Sequence, residues 1–140
     1  MYQVLTYEEV AVDIRCSYCG CKAIFVPTSC HLYGGRDYGP VWDCRACDAY
    51  VGVNGLTGLP HGTLANKELR YWRKLAHAMF DPLWQKKKHG VSRHAAYQHL
   101  ARFLGVPEGV THIGMFDVVL CKSVVRLCSN PQWYRGEQCQ

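Results

Sequence analysis

Two pairs of cysteines constrain this chain more than anything else in it. Cys16-Ser17-Tyr18-Cys19 and Cys44-Arg45-Ala46-Cys47 repeat a C-x-x-C spacing, with 24 residues between the pairs. Each pair delivers two sulfurs from one tight turn, and two such turns supply the four soft ligands of a tetrahedral zinc. Gly20 follows the first pair directly, where the turn calls for a residue tolerant of positive φ. Strand-like runs flank the turns: Lys22–Val26 after the first, Val41–Asp43 before the second and Ala49–Val53 after it. Cysteine turns mounted on short β-hairpins make a zinc ribbon. The stretch from Cys30 to Pro40, rich in Gly and Tyr, reads as a loop between them.

The rival chemistries are redox exchange and disulfides. A thioredoxin-like site uses a single C-x-x-C ahead of a helix, whereas both pairs here precede strands. The chain holds nine cysteines, an odd number, and Met1-Tyr2-Gln3 does not begin a secretory signal, so a full disulfide framework is not expected. The expected cofactor is one structural Zn2+ held by Cys16, Cys19, Cys44 and Cys47. Four thiolates leave no open coordination position, so this metal is structural and not catalytic. Cys21 and Cys30 are spare thiols near the ribbon, with Cys30-His31 an alternative start for a second metal site. Cys121 and Cys128 stand seven residues apart on a helix, about 10.5 Å along its axis, so they read as buried thiols and not as joint ligands. Cys139, near the end of the chain, reads as a free thiol.

The second half reads as helices. Leu64–Phe80 has an apolar face of Leu69, Trp72, Leu75, Ala76, Met79 and Phe80, with Thr63 or Asn66 as its cap and Pro82 as its stop. The opposite arc gathers Lys67, Arg70, Arg73, Lys74, His77 and Asp81. A basic connector, Trp84 to Gly90, carries Lys86, Lys87 and Lys88. Ser92 caps a second helix ending at Leu104 before Gly105, with Ala96, Tyr97, Leu100, Phe103 and Leu104 inward and His94, Gln98, His99 and Arg102 outward. Asp117 caps a third helix, Val118–Cys128. A helix-turn-helix is disfavoured, because residues 105–116 far exceed its usual turn. The expected fold class is α+β, an N-terminal zinc ribbon packed on a C-terminal bundle of about three helices. Its expected divisions are a ribbon at 1–62, a basic helical part at 63–128 and a loosely held tail at 129–140.

Charge is divided between the halves. Residues 1–62 carry four basic and six acidic side chains, 4 − 6 = −2, and residues 63–140 carry twelve and five, 12 − 5 = +7. That asymmetry predicts a negatively charged partner on one side only, nucleic acid or an acidic host protein surface. The expected phosphate contacts are Arg70, Arg73, Lys74, Lys86, Lys87, Lys88 and Arg93, with Tyr33, Tyr38 or Tyr71 able to stack on unpaired bases. A second reading, protein docking, places the interface at Tyr33, Arg36, Tyr38 and Trp42, since Tyr, Trp and Arg dominate binding hot spots.

Seven histidines raise the question of catalysis. His77 and Asp81 stand four apart on one helical face and His112 lies ahead of Asp117, so a metal-dependent nuclease built on these three is the enzymatic alternative. Carboxylates in this half are few, namely Glu68, Asp81, Glu108, Asp117 and Glu137, and no spacing fits a catalytic motif. The reading is therefore a binding module and not an enzyme. No apolar run is long enough to span a bilayer, so no membrane partner is expected and the cytoplasm is the expected compartment.

Several segments are distinctive in combination: Asp48–Gly52, Gly62–Asn66, Leu69-Arg70, Ala76-His77, Phe80–Trp84, Ser92-Arg93, Ala96-Tyr97 and His112–Asp117. Together with the ribbon they resemble a family of small zinc-finger-containing proteins found largely in phages, prophages and bacteria, whose function is not established. The resemblance runs from Cys16 to Cys128. It implies Cys16, Cys19, Cys44 and Cys47 as zinc ligands and marks His77, Asp81, Trp84, Arg93, Tyr97, His112 and Asp117 as positions fitting the family pattern. It also implies a small phage-encoded accessory protein acting in a bacterial cytoplasm.

Overall fold

A computed structural model describes residues 13–86, 90–130 and 133–134. Lys87 and Lys88, two expected phosphate contacts, and Cys139 lie outside the described residues. The fold is α+β, and the chain divides into two compact units with the boundary after Lys67.

The first unit is built on three short antiparallel strands in the order β1-β2-β3: β1 Ile24–Val26, β2 Val41–Cys44 and β3 Ala49–Gly52. Phe25 opposes Trp42, and Trp42 opposes Val51. Alternation sets the faces of the outer strands. Phe25 is buried while Ile24 is exposed, and Ala49 and Val51 are buried between half-buried Tyr50 and Gly52. The central strand β2 is buried at all four positions, Asp43 included. Its carboxylate lies 3.4 Å from His31 Nε2 and 3.7 Å from Arg45 Nε, so the buried charge is not left alone. Trp42, expected at a docking surface, is instead the centre of this core: it is 3% exposed and packs edge-on to Phe25 at 5.3 Å. A tryptophan on a central strand has neighbours on both sides, and composition alone does not show which strand is central.

Isolated bridges extend the sheet at Arg15↔Lys22, Tyr50↔Ala65 and Val53↔Pro60. In the long loop, Asp37 accepts hydrogen bonds from the backbone N–H groups of Ser29 and Gly39. Those bonds hold its carboxyl below the usual carboxylate range, with the Gly39 bond the larger cause.

The second unit is helical: α1 Lys67–Phe80, α2 Pro82–Gln85, α3 Arg93–Leu104 and α4 Val118–Cys128. The expected caps are in place. Ser92 Oγ accepts from Ala95 N–H, Asp117 Oδ1 accepts from Leu120 N–H, and Gly105 ends α3 in the left-handed region at φ 67. Helix α1 begins at Lys67 and not at Leu64, because Ala65 exchanges backbone hydrogen bonds with Tyr50 as an extended segment. The connector after Pro82 is partly helical, since proline is tolerated in a first turn and Lys86 N–H reaches Pro82 O.

Three expected faces are corrected. Arg73 is buried at 8% exposed, and its Nε–H donates to the Phe116 carbonyl at 3.1 Å. At about 100° per residue it falls about 20° from Phe80, at the edge of the stripe formed by Leu69, Ala76 and Phe80. It is therefore not a surface phosphate contact. His99, expected outward, is buried between the rings of Phe103, Trp133 and Tyr134 at 5.0, 5.3 and 4.5 Å. Phe103, expected inward, is 41% exposed. The burial of His99 is due to Trp133, which does not lie in a loose tail: it is 7% exposed and also reaches the ring of Phe80 at 6.4 Å. Among the described residues, no helix is long and apolar enough to cross a membrane.

Trp133→Ala is expected to destabilise the zinc-loaded protein by about 3 kcal/mol, as for other large buried aromatics. Urea unfolding measures this, and a change below about 0.5 kcal/mol would show that the tryptophan adds nothing to the core.

Candidate metal centre

The first cysteine turn closes a hairpin. Cys16 N–H donates to Cys21 O, Gly20 N–H to Cys16 O and Ala23 N–H to Ile14 O, while Gly20 takes φ 76. The second turn also ends on a left-handed residue, but a different one. Arg45–Cys47 form a 3-10 turn, and Asp48 adopts φ 49 in the place that Gly20 holds after the first pair. Aspartate is among the few non-glycine residues that enter this region readily. The parallel between Gly20 and Asp48 is visible in the sequence once both are aligned on their cysteines. The two intervening residues of the first pair also anchor it: Ser17 Oγ–H donates to Leu64 O, and the Tyr18 hydroxyl accepts from Asn66 N–H.

These turns bring the sulfurs of Cys16, Cys19, Cys44 and Cys47 within 4.8 Å of one another. Cys19 and Cys44 Sγ are 3.7 Å apart. Four sulfurs each about 2.3 Å from one zinc stand about 3.8 Å from each other, so the spacing fits a tetrahedral ion. None of the four is joined in a disulfide. Cys16 and Cys44 are buried and face the core, whereas Cys19 is exposed and Cys47 half-buried.

The electrostatics of the cluster favour a cation. The backbone N–H of Cys21 is the main cause that brings the Cys19 thiol down to about 7. The Cys19 sulfur, as the leading cause, pushes its neighbour Cys47 up to about 12. Crowding thus lowers one thiol and raises its neighbours Cys44 and Cys47, and a divalent ion between the sulfurs favours the thiolate form. Backbone N–H groups prepare the thiolates: Tyr18 N–H points to Cys16 Sγ at 3.4 Å, and Cys47 N–H bonds the Cys44 sulfur.

Among the described residues, this quartet is the one group of three or more ligand-type side chains gathered at metal-binding distance. Cys21 is exposed and outside it. Cys30 pairs with Thr28 Oγ1 at 2.8 Å and His31 with Asp43, so they do not begin a second site. His77, Asp81 and His112 do not form a metal-ligand group either. Burial pushes Cys121 up to about 11 and Cys128 up to about 12, which keeps both as protonated thiols.

The chain matches a zinc-finger-containing domain family over residues 12–131. It belongs to that family. No curated protein and no solved structure matches it. The family and the sulfur geometry together identify one structural Zn2+ on four cysteines.

Of the other residues singled out in the sequence, Arg70, Lys74, Lys86 and Arg93 lie at the surface of the helical unit, Arg70 partly covered. Tyr33, Arg36 and Tyr38 are exposed, with the two tyrosine rings edge-on at 4.9 Å. His77, Asp81, Trp84, Arg93, Tyr97 and His112 form a continuous chain of contacts, and Asp117 caps α4.

Purified protein is expected to carry one zinc per chain by mass spectrometry. Cys16→Ser should lose the zinc and unfold the first unit, whereas Cys21→Ser should keep both. Metal retention by Cys16→Ser would displace that residue from the ligand set.

Proposed function

We propose that this protein binds nucleic acid through the exposed face of α1, with zinc holding the first unit in shape and taking no part in chemistry. The observation that carries the reading is the interleaving of an aromatic ring with cations. Tyr71 is 61% exposed and follows Arg70 on the helix, about 60° around it from Lys74, in a half of the chain whose net charge is +7 by sequence, 12 − 5. The ring of Trp72 supports a further cation, Lys122 Nζ, at 5.1 Å, and stands edge-on to Tyr71. Cations that track a phosphate backbone beside a ring able to stack on a base form the general pattern of single-strand binding. With Arg73 committed to the core, the expected contacts reduce to Arg70, Lys74, Lys86 and Arg93, together with Lys87 and Lys88.

Such contacts position a strand and do not read its sequence. A small accessory protein of a phage or its bacterial host, acting in the cytoplasm on unpaired nucleic acid, is the setting this reading fits. The exposed Tyr33–Tyr38 pair beside Arg36 favours a second reading, docking on a host protein. That surface is smaller than the sequence promised, since Trp42 is withdrawn into the core.

Affinity for a single-stranded oligonucleotide is expected to fall steeply with salt. Arg70→Ala with Lys74→Ala should flatten the log–log slope by about 1.4, or about 1.8 on duplex DNA. Fluorescence anisotropy across a salt series checks this, and an unchanged slope would remove α1 from the contact surface.

A further inference from the structure

Arg93 is fixed as an exposed side chain of this size seldom is. Its guanidinium carbon lies 5.7 Å from the centre of the Trp84 ring and 5.2 Å from that of Tyr97, within cation–π range of both. It also hydrogen-bonds the Tyr97 hydroxyl. The two rings are themselves held. Trp84 Nε1–H donates to Asp81 Oδ1 at 3.3 Å, and His77 Nδ1–H donates to the other oxygen of that carboxylate at 3.0 Å. Tyr97 is 7% exposed, packs on Phe80 at 4.8 Å, and its hydroxyl is bonded to the Ile113 backbone. His112 lies against the same tyrosine, with ring centres 5.6 Å apart, and is exposed.

Two further facts separate this arrangement from a structural ion pair. Among the described residues, no carboxylate pairs with Arg93, since the nearby Asp81 is occupied by His77 and Trp84. Arg93 is also the first residue of α3, whose first turn carries no acid. A cation there opposes the helix dipole, so helix stability does not account for it. What remains is a planar fork of N–H donors, ordered in advance on an aromatic shelf. Such a fork matches the oxyanions of a phosphate group, and its prior ordering lowers the entropy lost on binding.

We infer that Arg93, seated on Trp84 and Tyr97, forms a preorganised binding site for a phosphate group, with His112 against the Tyr97 ring. Asp81 is a positioning residue that fixes the Trp84 ring, and His77 locks Asp81 in turn. The site deepens the nucleic-acid reading and rests on it for its natural source of phosphate, a strand end or an internal phosphodiester. It does not rest on that reading for its chemistry.

The test uses the full-length, zinc-loaded protein labelled with 15N. Inorganic phosphate is titrated first, while the Arg93 Nε–H and Trp84 Nε1–H signals are followed. Single-stranded oligonucleotides with and without a 5′-phosphate come next. Saturable shifts of both signals with inorganic phosphate are expected. Arg93→Gln should abolish the shifts and weaken oligonucleotide binding by at least about tenfold, with Arg93→Lys intermediate. Asp81→Asn should move the Trp84 signal in the free protein and weaken phosphate binding without changing zinc content, which a merely structural role would not separate. A preference for the 5′-phosphorylated strand assigns the site to strand ends, and equal binding assigns it to internal phosphodiesters. Oligonucleotide binding that is intact in Arg93→Gln, with no response to inorganic phosphate in the wild type, overturns the site and leaves the α1 reading standing. Shifts with inorganic phosphate but no binding of any oligonucleotide sustain the site and overturn the α1 reading. No response to either probe overturns both.

Discussion

Four sulfurs held within 4.8 Å of each other repel as thiolates, a divalent cation between them removes that repulsion, and the first unit is built around it. Its strands are three or four residues long and its core holds eight buried residues, two of them zinc ligands. A sheet of that size buries too little apolar surface to hold itself together, and small domains in this position use a metal. Zinc joins the hairpin that carries Cys16 and Cys19 to the end of β2 and the turn after it. Trp42, Phe25 and Val51 then pack on a frame that is already closed. Folding and metal binding are therefore one event.

The helical unit solves a different problem. Its core accepts an arginine, because Arg73 borders the apolar stripe of α1 and finds the Phe116 carbonyl to satisfy its Nε–H. That bond ties α1 to the segment just before the α4 cap at Asp117. Trp133 then closes the unit from the far end of the chain, and by doing so buries His99. A charge that would have strengthened the basic surface thus stabilises the interior. The remaining surface cations are fewer, and the most ordered of them stands on two rings.

Features set by local chemistry were readable from the sequence. The cysteine spacing gave the ligand set, and Ser92, Gly105 and Asp117 gave the helix limits, because caps and turns act within four residues. Features set by distant partners were not. The burial of Trp42 follows from β2 being central, which depends on strand order. Arg73 was assigned by its charge when its angle on the helix placed it inward. His99 is buried because a tryptophan about thirty residues downstream returns to cover its side of α3, and the ring of Phe103 lies against both while staying 41% exposed. The contacts linking His77 to His112 were likewise invisible as a chain, since two of its steps, Trp84 to Arg93 and Tyr97 to His112, join separate elements.

A zinc bound by four thiolates has no vacant position for water or substrate, so it cannot serve as a Lewis acid while that shell is intact. Chemistry or recognition must then come from ordinary side chains. In the helical unit, order at the surface is concentrated where aromatic rings support cations: Lys122 on Trp72, and Arg93 on Trp84 and Tyr97. An unsupported surface lysine loses much of its rotamer freedom when it meets a phosphate, whereas a cation already seated on a ring has given up that freedom in folding. Stability invested in rings and in Asp81 is in this way converted into readiness for an anion. The same logic explains why Asp81, a negative charge beside a proposed anion site, is tolerable. His77 and Trp84 bond its two oxygens, and its field fixes the shelf on which the cation rests.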